Sequence, residues 1–225
     1  MSSPLHIAIK HGHIDTVEVL LSYGHANPNI GVPIYDVESV DILRLLLAYG
    51  ADMDPSPQHI PMLYKACSEG NLDKVKLLLL YGASIEPKTL AIEYCDSLHK
   101  ATIEGHTGIV QALIDHGADI NRSSNYYQQP IVMAVCQRDI DMISVLIANG
   151  AKVDLDIHGN TLLHIAAHAG YLDVVKILVE EGHMDIEAPD SKNKTALSIA
   201  CMNIHLPVIE YLLSRGAKTT IQSLT

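Results

Sequence analysis

Apolar residues recur along this chain at fixed offsets from seven glycines, Gly24, Gly50, Gly82, Gly117, Gly150, Gly182 and Gly216, spaced 26 to 35 residues apart. Four residues before each glycine stands a leucine: Leu20, Leu46, Leu78, Leu113, Leu146, Leu178 and Leu212. Seven before it stands Val17, Leu43, Val75, Val110, Ile143, Val175 or Ile209, and three before it Leu21, Leu47, Leu79, Ile114, Ile147, Val179 or Leu213. Offsets of three and four place these side chains on one face of a helix. The glycine then ends that helix, as a residue that tolerates a left-handed backbone does. Sixteen residues before the glycine, six repeats carry an alanine, Ala8, Ala66, Ala101, Ala134, Ala166 and Ala200, which marks a first helix packed closely against its neighbours. Gly12, Gly70, Gly105 and Gly170 fall between the two helices. Each repeat therefore reads as helix, tight turn, helix, extended loop. One such pair cannot bury its apolar stripe alone, whereas stacked pairs bury it continuously.

The phrases that punctuate the pattern resemble the ankyrin-repeat family. Its opening signature stands as Ser3-Pro4-Leu5-His6 and Thr161-Leu162-Leu163-His164, and more loosely as Thr195-Ala196-Leu197-Ser198. Its central phrase stands as Gly170-Tyr171-Leu172-Asp173-Val174-Val175, and its closing phrase as Gly117-Ala118-Asp119-Ile120-Asn121 and Gly50-Ala51-Asp52-Met53-Asp54. The Ser or Thr of the signature caps the first helix, and the Pro starts its first turn. The resemblance implies an all-α fold, a solenoid of stacked helix-turn-helix units with projecting β-hairpin loops. It spans residues 1–225 as a single domain, with repeats at about 2–30, 31–57, 58–88, 89–124, 125–157, 158–190 and 191–220 and a tail at 221–225. It also implies a structural role for His6, His99 and His164, whose side chains bond adjoining loops, and a concave binding face made of first helices and hairpins.

Several repeats depart from the pattern. The second is short, and Val32-Pro33-Ile34-Tyr35-Asp36-Val37-Glu38 stands where a first helix belongs. About one helical turn fits there, and Pro33 restricts it further, so a notch is expected in the inner wall. The ankyrin-type inhibitors of cyclin-dependent kinases are similar in having a shortened first helix in their second repeat. Repeat four is entered through a long connection, residues 86–97. Repeat five puts Arg138, and repeat seven Ile204, where the turn glycine belongs, and repeat six carries an extra residue in Gly182-His183-Met184-Asp185-Ile186. Two readings of these departures stand side by side: tuning of curvature or binding, and drift.

Composition adds constraints. Trp and Phe are absent and ten Tyr supply all the aromatic rings, which suits thin layers of helices better than a thick globular core. The formal charge of −11 argues against a nucleic-acid ligand, which needs clustered Lys and Arg. It leaves open a solubilising acidic surface or a basic partner. Cys67, Cys95, Cys136 and Cys201 form no C-x-x-C pair. Cys67 and Cys201 stand at small, buried helix positions, so reduced packing cysteines in the cytoplasm, or alternatively the nucleus, are expected. No apolar run reaches the length of a membrane span, and the first 25 residues do not resemble a signal peptide.

Chemistry was sought among the thirteen His. His164 and His168 stand i, i+4 and could clip a metal, but no further ligands follow at metal-site spacing. Cys136 has no evident His and Asn partners, phosphate loops are absent, and the paired carboxylates sit at turn positions. Neither a catalytic residue nor a cofactor is expected.

The expected function is a non-catalytic protein-binding module: an adaptor, inhibitor or effector, monomeric by itself, that holds another protein. The alternatives are a regulatory segment of a larger enzyme or channel, and an enzyme using the groove as its active site. The residues just before the turn of each first helix should face the groove. These include Lys10, His11, Ser68, Glu69, Ile103, Glu104, Cys136, Gln137, His168, Ala169, Met202 and Asn203. Arg122, Tyr126 and Tyr127 join them at a hairpin tip, where the two Tyr are contact anchors or packing residues. Leu113 to Asn121 also resembles the sites that animal asparaginyl hydroxylases modify, with Asn121 as the acceptor.

Overall fold

The structure, a computed structural model, describes residues 3–30, 34, 37–54, 60–85, 96–123, 129–154 and 157–219. Contacts group the chain into two compact bodies, Met1–Ala118 and Asp119–Thr225. Among the described residues the secondary structure consists of thirteen helices. The first body holds α1 (Pro4–Lys10), α2 (Ile14–Ser22), α3 (Val40–Ala48), α4 (Met62–Glu69), α5 (Leu72–Leu80), α6 (Ser97–Ile103) and α7 (Thr107–Asp115). The second holds α8 (Pro130–Gln137), α9 (Ile140–Ala148), α10 (Leu162–Ala169), α11 (Leu172–Glu180), α12 (Ala196–Met202) and α13 (Leu206–Ser214). Within each body, first helices stack on first helices and second on second: α4 on α6 and α5 on α7, then α8, α10 and α12 in one row and α9, α11 and α13 in the other.

The alanine column is what lets the first helices approach. Ala66, Ala101, Ala134, Ala166 and Ala200 are wholly buried, as are Val17, Leu43, Val75, Val110, Ile143 and Val175 on the second helices. Such short helices are marginal alone, and their ends are closed by side chains. Ser3, Ser39, Asn71, Asp96, Asp139 and Thr195 each accept a hydrogen bond from a backbone N–H in the first turn of their helix. Where Pro61 precedes α4 and offers no cap, Asp54 accepts from the Met62 N–H instead, at 3.0 Å.

Two details differ from the sequence reading. Gly24 and Gly182 are not left-handed; the next residues, His25 and His183, take positive φ. A side chain at either glycine would collide with the carbonyl oxygen of Leu20 or Leu178 at 2.7 Å, so these glycines are fixed by contact. Repeat one thus carries the same extra residue as repeat six: the bond that links Ala51 N–H to Leu46 O elsewhere links Ala26 to Leu20 and Met184 to Leu178 here. Secondly, Cys201 is exposed rather than buried. It lies on the side of α12 that no described helix covers, in a cleft of about 340 Å³ with Leu197, Ile209 and Leu213.

The connecting loops form no β-strand among the described residues. One antiparallel bridge, Ile157 with Asn160, closes a loop. The loops are joined by side chains at one recurring position. Asn29 Oδ1 accepts from Asp52 N–H at 2.7 Å, Asn121 Oδ1 from Lys152 N–H at 2.8 Å, and Glu187 Oε1 from Lys218 N–H at 2.8 Å. Asn121, the expected hydroxylation acceptor, therefore serves as a bridge between consecutive loops.

Candidate protein-binding surface

The second helices end in the loops; the first helices end in the turns, where exposed side chains gather. In the first body, Lys10 and His11 are exposed at the end of α1. Glu69 is exposed on α4 and pairs with Lys65 at 3.8 Å. Ile103 is half-buried at the end of α6, and the neighbouring Glu104 pairs with Lys100 at 2.5 Å. The Lys100 ammonium holds the Glu104 carboxyl below the usual glutamate range.

The expected notch lies in this body. Between α2 and α3 no α-helix forms among the described residues; Ile34 and Val37 are buried, and Val37 N–H bonds Ile34 O at 3.3 Å. The space left is a cavity of about 790 Å³ with Ile9, Val37 and Ile42 as apolar surface and His6, Lys10 and Glu38 among its polar groups. Its backbone is held from beneath. Lys74 of α5, only 4% exposed, donates its ammonium to Val37 O at 3.0 Å. Burial pushes this lysine below its ordinary value, against the opposing field of Glu69.

In the second body Cys136, His168 and Ala169, at the ends of α8 and α10, come together in a cleft of about 400 Å³ floored by Ile165 and Ile199. Asn160, His164 and Tyr171 complete its lining. Burial pushes the Cys136 thiol up, the opposite of the shift that activates a cysteine nucleophile. Gln137 is exposed beside it on α8. Met202 is 64% exposed at the end of α12, where the Lys194 ammonium lies 3.2 Å from its sulfur. Asn203 is also exposed, but its amide donates back to Ile199 O at 2.9 Å and closes its own helix. Arg122 is half-buried, its N–H donating to Asp119 O in a turn. Tyr126 and Tyr127 lie outside the described residues.

The groups beneath the cleft are committed to structure. His164 is buried; its Nδ1 accepts from the Thr161 N–H at 3.1 Å, which leaves Nε2 to donate to Lys194 O at 2.9 Å. Both ring nitrogens are thus engaged, so a metal clip with His168 has no free donor on this side. Among the described residues no group of three His, Cys, Asp or Glu is placed to hold a metal ion. His99, also buried, sits 2.8 Å from the Asp96 carboxylate that caps its helix. Both rings are engaged by structural partners, His164 with backbone groups of two loops and His99 with the capping carboxylate.

The turn position explains Arg138, whose role the sequence pattern left open. At two ordinary turns the glycine is a floor for an imidazole from the following repeat: a side chain at Gly70 would strike His106, and one at Gly170 would strike His205, both at 2.7 Å. Arg138, left-handed at φ 57°, replaces that floor with a clamp. Its Nε donates to both carboxylate oxygens of Asp173 at 3.0 Å, and its guanidinium lies 5.3 Å from the centre of the Tyr171 ring. The Arg138 bond draws the Asp173 carboxyl below its usual range. The signal in the sequence was a bulky cation in a glycine's place, followed one repeat later by Tyr171 and Asp173.

Comparison with known proteins fits this geometry. Family models described as ankyrin repeats match residues 63–157 and 131–223, and a single ankyrin repeat matches residues 2–31. A transient receptor potential channel A1 homolog of Caenorhabditis elegans is 33% identical over 117 residues, 52% of this chain and 10% of that protein. Alpha-latrocrustotoxin-Lt1a of Latrodectus tredecimguttatus is 34% identical over 48% of this chain and 8% of its own length. The rat nuclear factor NF-kappa-B p105 subunit is 29% identical over 56% of this chain and 14% of its own. The chain thus matches only a small fraction of the length of these relatives. Among solved structures, the human ASB11 ankyrin repeat domain superposes with a TM-score of 0.68, covering 97% of this chain and 100% of that one at 24% identity, a likeness of fold. With matching family models over most of its length and the repeat columns buried as the pattern requires, the chain belongs to the ankyrin-repeat family.

Proposed function

We propose that this protein is a non-catalytic protein-binding module that holds a partner on the first-helix face of repeats five to seven. The observation that carries this reading is the cleft formed by Cys136, Ile165, Ala169 and Ile199. It pairs an apolar floor with a polar rim of His168 and Asn160, the anatomy of an anchor pocket in a protein interface. Gln137, Met202 and Asn203 flank it as contact residues. The acidic surplus of the chain resides mainly in loops and second helices, such as Asp52, Asp119, Asp141 and Glu210, so a basic partner would be drawn by the field of the whole molecule. Among the described residues no helix is long and apolar enough to cross a membrane, and Cys67, Cys136 and Cys201 are free thiols, which supports a reducing compartment such as the cytoplasm or nucleus.

The test is a plug. Ala169 is exposed at the end of α10, so Ala169→Arg fills the cleft without disturbing the core. Capture of a partner from native lysate, followed by titration of the identified protein, should show the variant at least about tenfold weaker, equivalent to about 1.4 kcal/mol. Undiminished binding by Ala169→Arg, with loss on altering the exposed backs of the second helices, would move the site elsewhere. A second reading is favoured by the small share of each relative that the chain covers: a regulatory ankyrin segment of a larger protein, such as a channel. The full-length transcript distinguishes the two.

A further inference from the structure

Met202 ends the first helix of repeat seven and differs from the other described methionines. Met62 and Met142 are buried in the helix stack, and Met53, Met133 and Met184 are half-buried, whereas Met202 is 64% exposed. Its sulfur also has a cationic neighbour, the Lys194 ammonium at 3.2 Å. The backbone sets the origin of that long side chain. The Lys194 N–H donates to the Asp190 carboxylate at 2.7 Å, and its carbonyl accepts from the Asp190 N–H at 2.8 Å and from the buried His164 ring at 2.9 Å. Lys194 therefore starts from a fixed point in the loop before α12 and reaches the far end of that helix. A thioether is a weak acceptor for such a donor, so the pair as it stands gains little. A sulfoxide oxygen on the same sulfur is a strong acceptor, with the ammonium already in place for it.

We propose that Met202 is an oxidation site for hydrogen peroxide, at which Lys194 directs the oxygen to one face of the sulfur and then holds it. A sulfur lone pair attacks one peroxide oxygen and the O–O bond breaks. The displaced hydroxide takes the proton of the transferred hydroxyl, leaving the sulfoxide and water. The thioether is oxidised, the peroxide is reduced, and no third reactant enters. The ammonium donates a hydrogen bond to the peroxide on the side of the sulfur that it faces, and keeps that bond to the sulfoxide oxygen afterwards. Oxidation turns an apolar, flexible side chain into a polar, chiral one, and reductases reverse it. Met202 flanks the proposed partner surface, but the site does not depend on a partner binding there.

The full chain is treated with hydrogen peroxide and digested, and each methionine peptide is followed by mass spectrometry. Met202 is expected to oxidise at least about fivefold faster than Met53, Met133 and Met184. Exposure by itself would give that rate, so the deciding readout is the handedness of the product. Two reductases, each accepting one sulfoxide epimer, should divide the Met202 product at about 5:1 or more in the native chain and at about 1:1 in Lys194→Leu. Lys194→Arg, which keeps a cationic donor, should restore the excess. Both variants keep the loop, because the backbone of Lys194 and not its side chain makes the bonds to Asp190 and His164. An even epimer ratio in the native chain, a ratio unmoved by Lys194→Leu, or a Met202 rate no faster than that of the half-buried methionines overturns the proposal. A one-sided product with partner binding insensitive to Ala169→Arg leaves this site standing and removes the cleft reading. An even product with binding lost in Ala169→Arg does the reverse.

Discussion

Repeats two and six carry the same leucine and glycine columns but support their backbones in opposite ways. In repeat six the first helix is complete and self-sufficient. Thr161 and His164 cap it reciprocally, and His164 then reaches across to Lys194 O, tying the helix to the next loop. In repeat two the first helix is missing among the described residues, and the carbonyl of Val37 accepts its hydrogen bond from Lys74, a residue of repeat three. A complete repeat gives a bond to its neighbour; the truncated one takes one. The difference teaches that a solenoid tolerates a lost helix when a neighbour can satisfy the carbonyl left exposed.

Three substitutions would break or sharpen this contrast. The largest effect is expected from His164→Ala, which removes the capping and inter-loop bonds of a buried ring together. It should destabilise by about 3 kcal/mol, read by urea unfolding, with faster amide exchange at Thr161 and in the loop around Lys194. A loss under about 1 kcal/mol would mean that the cap and the loop are independent of the histidine. Next is Lys74→Met, which keeps the apolar stem but leaves Val37 O without its charged donor. The expected cost is about 2 kcal/mol, partly offset because the ammonium no longer has to be buried. Unchanged stability would show that repeat two does not lean on repeat three. The smallest effect has the opposite sign. Ile204 is 76% exposed and left-handed at φ 59°, a costly conformation for a β-branched residue. Ile204→Gly relieves that strain while gaining freedom in the unfolded chain, for a net stabilisation of about 0.5 kcal/mol. A lower thermal midpoint would refute the strain.

How much was legible in the sequence follows from the range of each interaction. The columns at Leu46, Val75 and Ala101 could be read because helical periodicity and close packing are local rules repeated many times. The short second repeat was visible as a missing stretch around Pro33, and Cys136 and His168 were placed on the groove side because their offset from the turn fixes their direction. Cys201 was misread, since an identical offset is buried only where another helix pair covers it. Gly24 was assigned a left-handed backbone from its column, whereas one extra residue in the loop passes that role to His25.

The sequence by itself determined the repeat, its helices, its caps and the face on which contact residues stand, because each depends on residues a few positions apart. Only the tertiary structure decided what fills the exceptions. Arg138 becomes a clamp because Asp173 and Tyr171 arrive beside it from 35 and 33 positions away. Lys74 is buried because a carbonyl of the truncated repeat waits for its ammonium. Such outcomes turn on distances between repeats, which helical periodicity within one repeat does not encode.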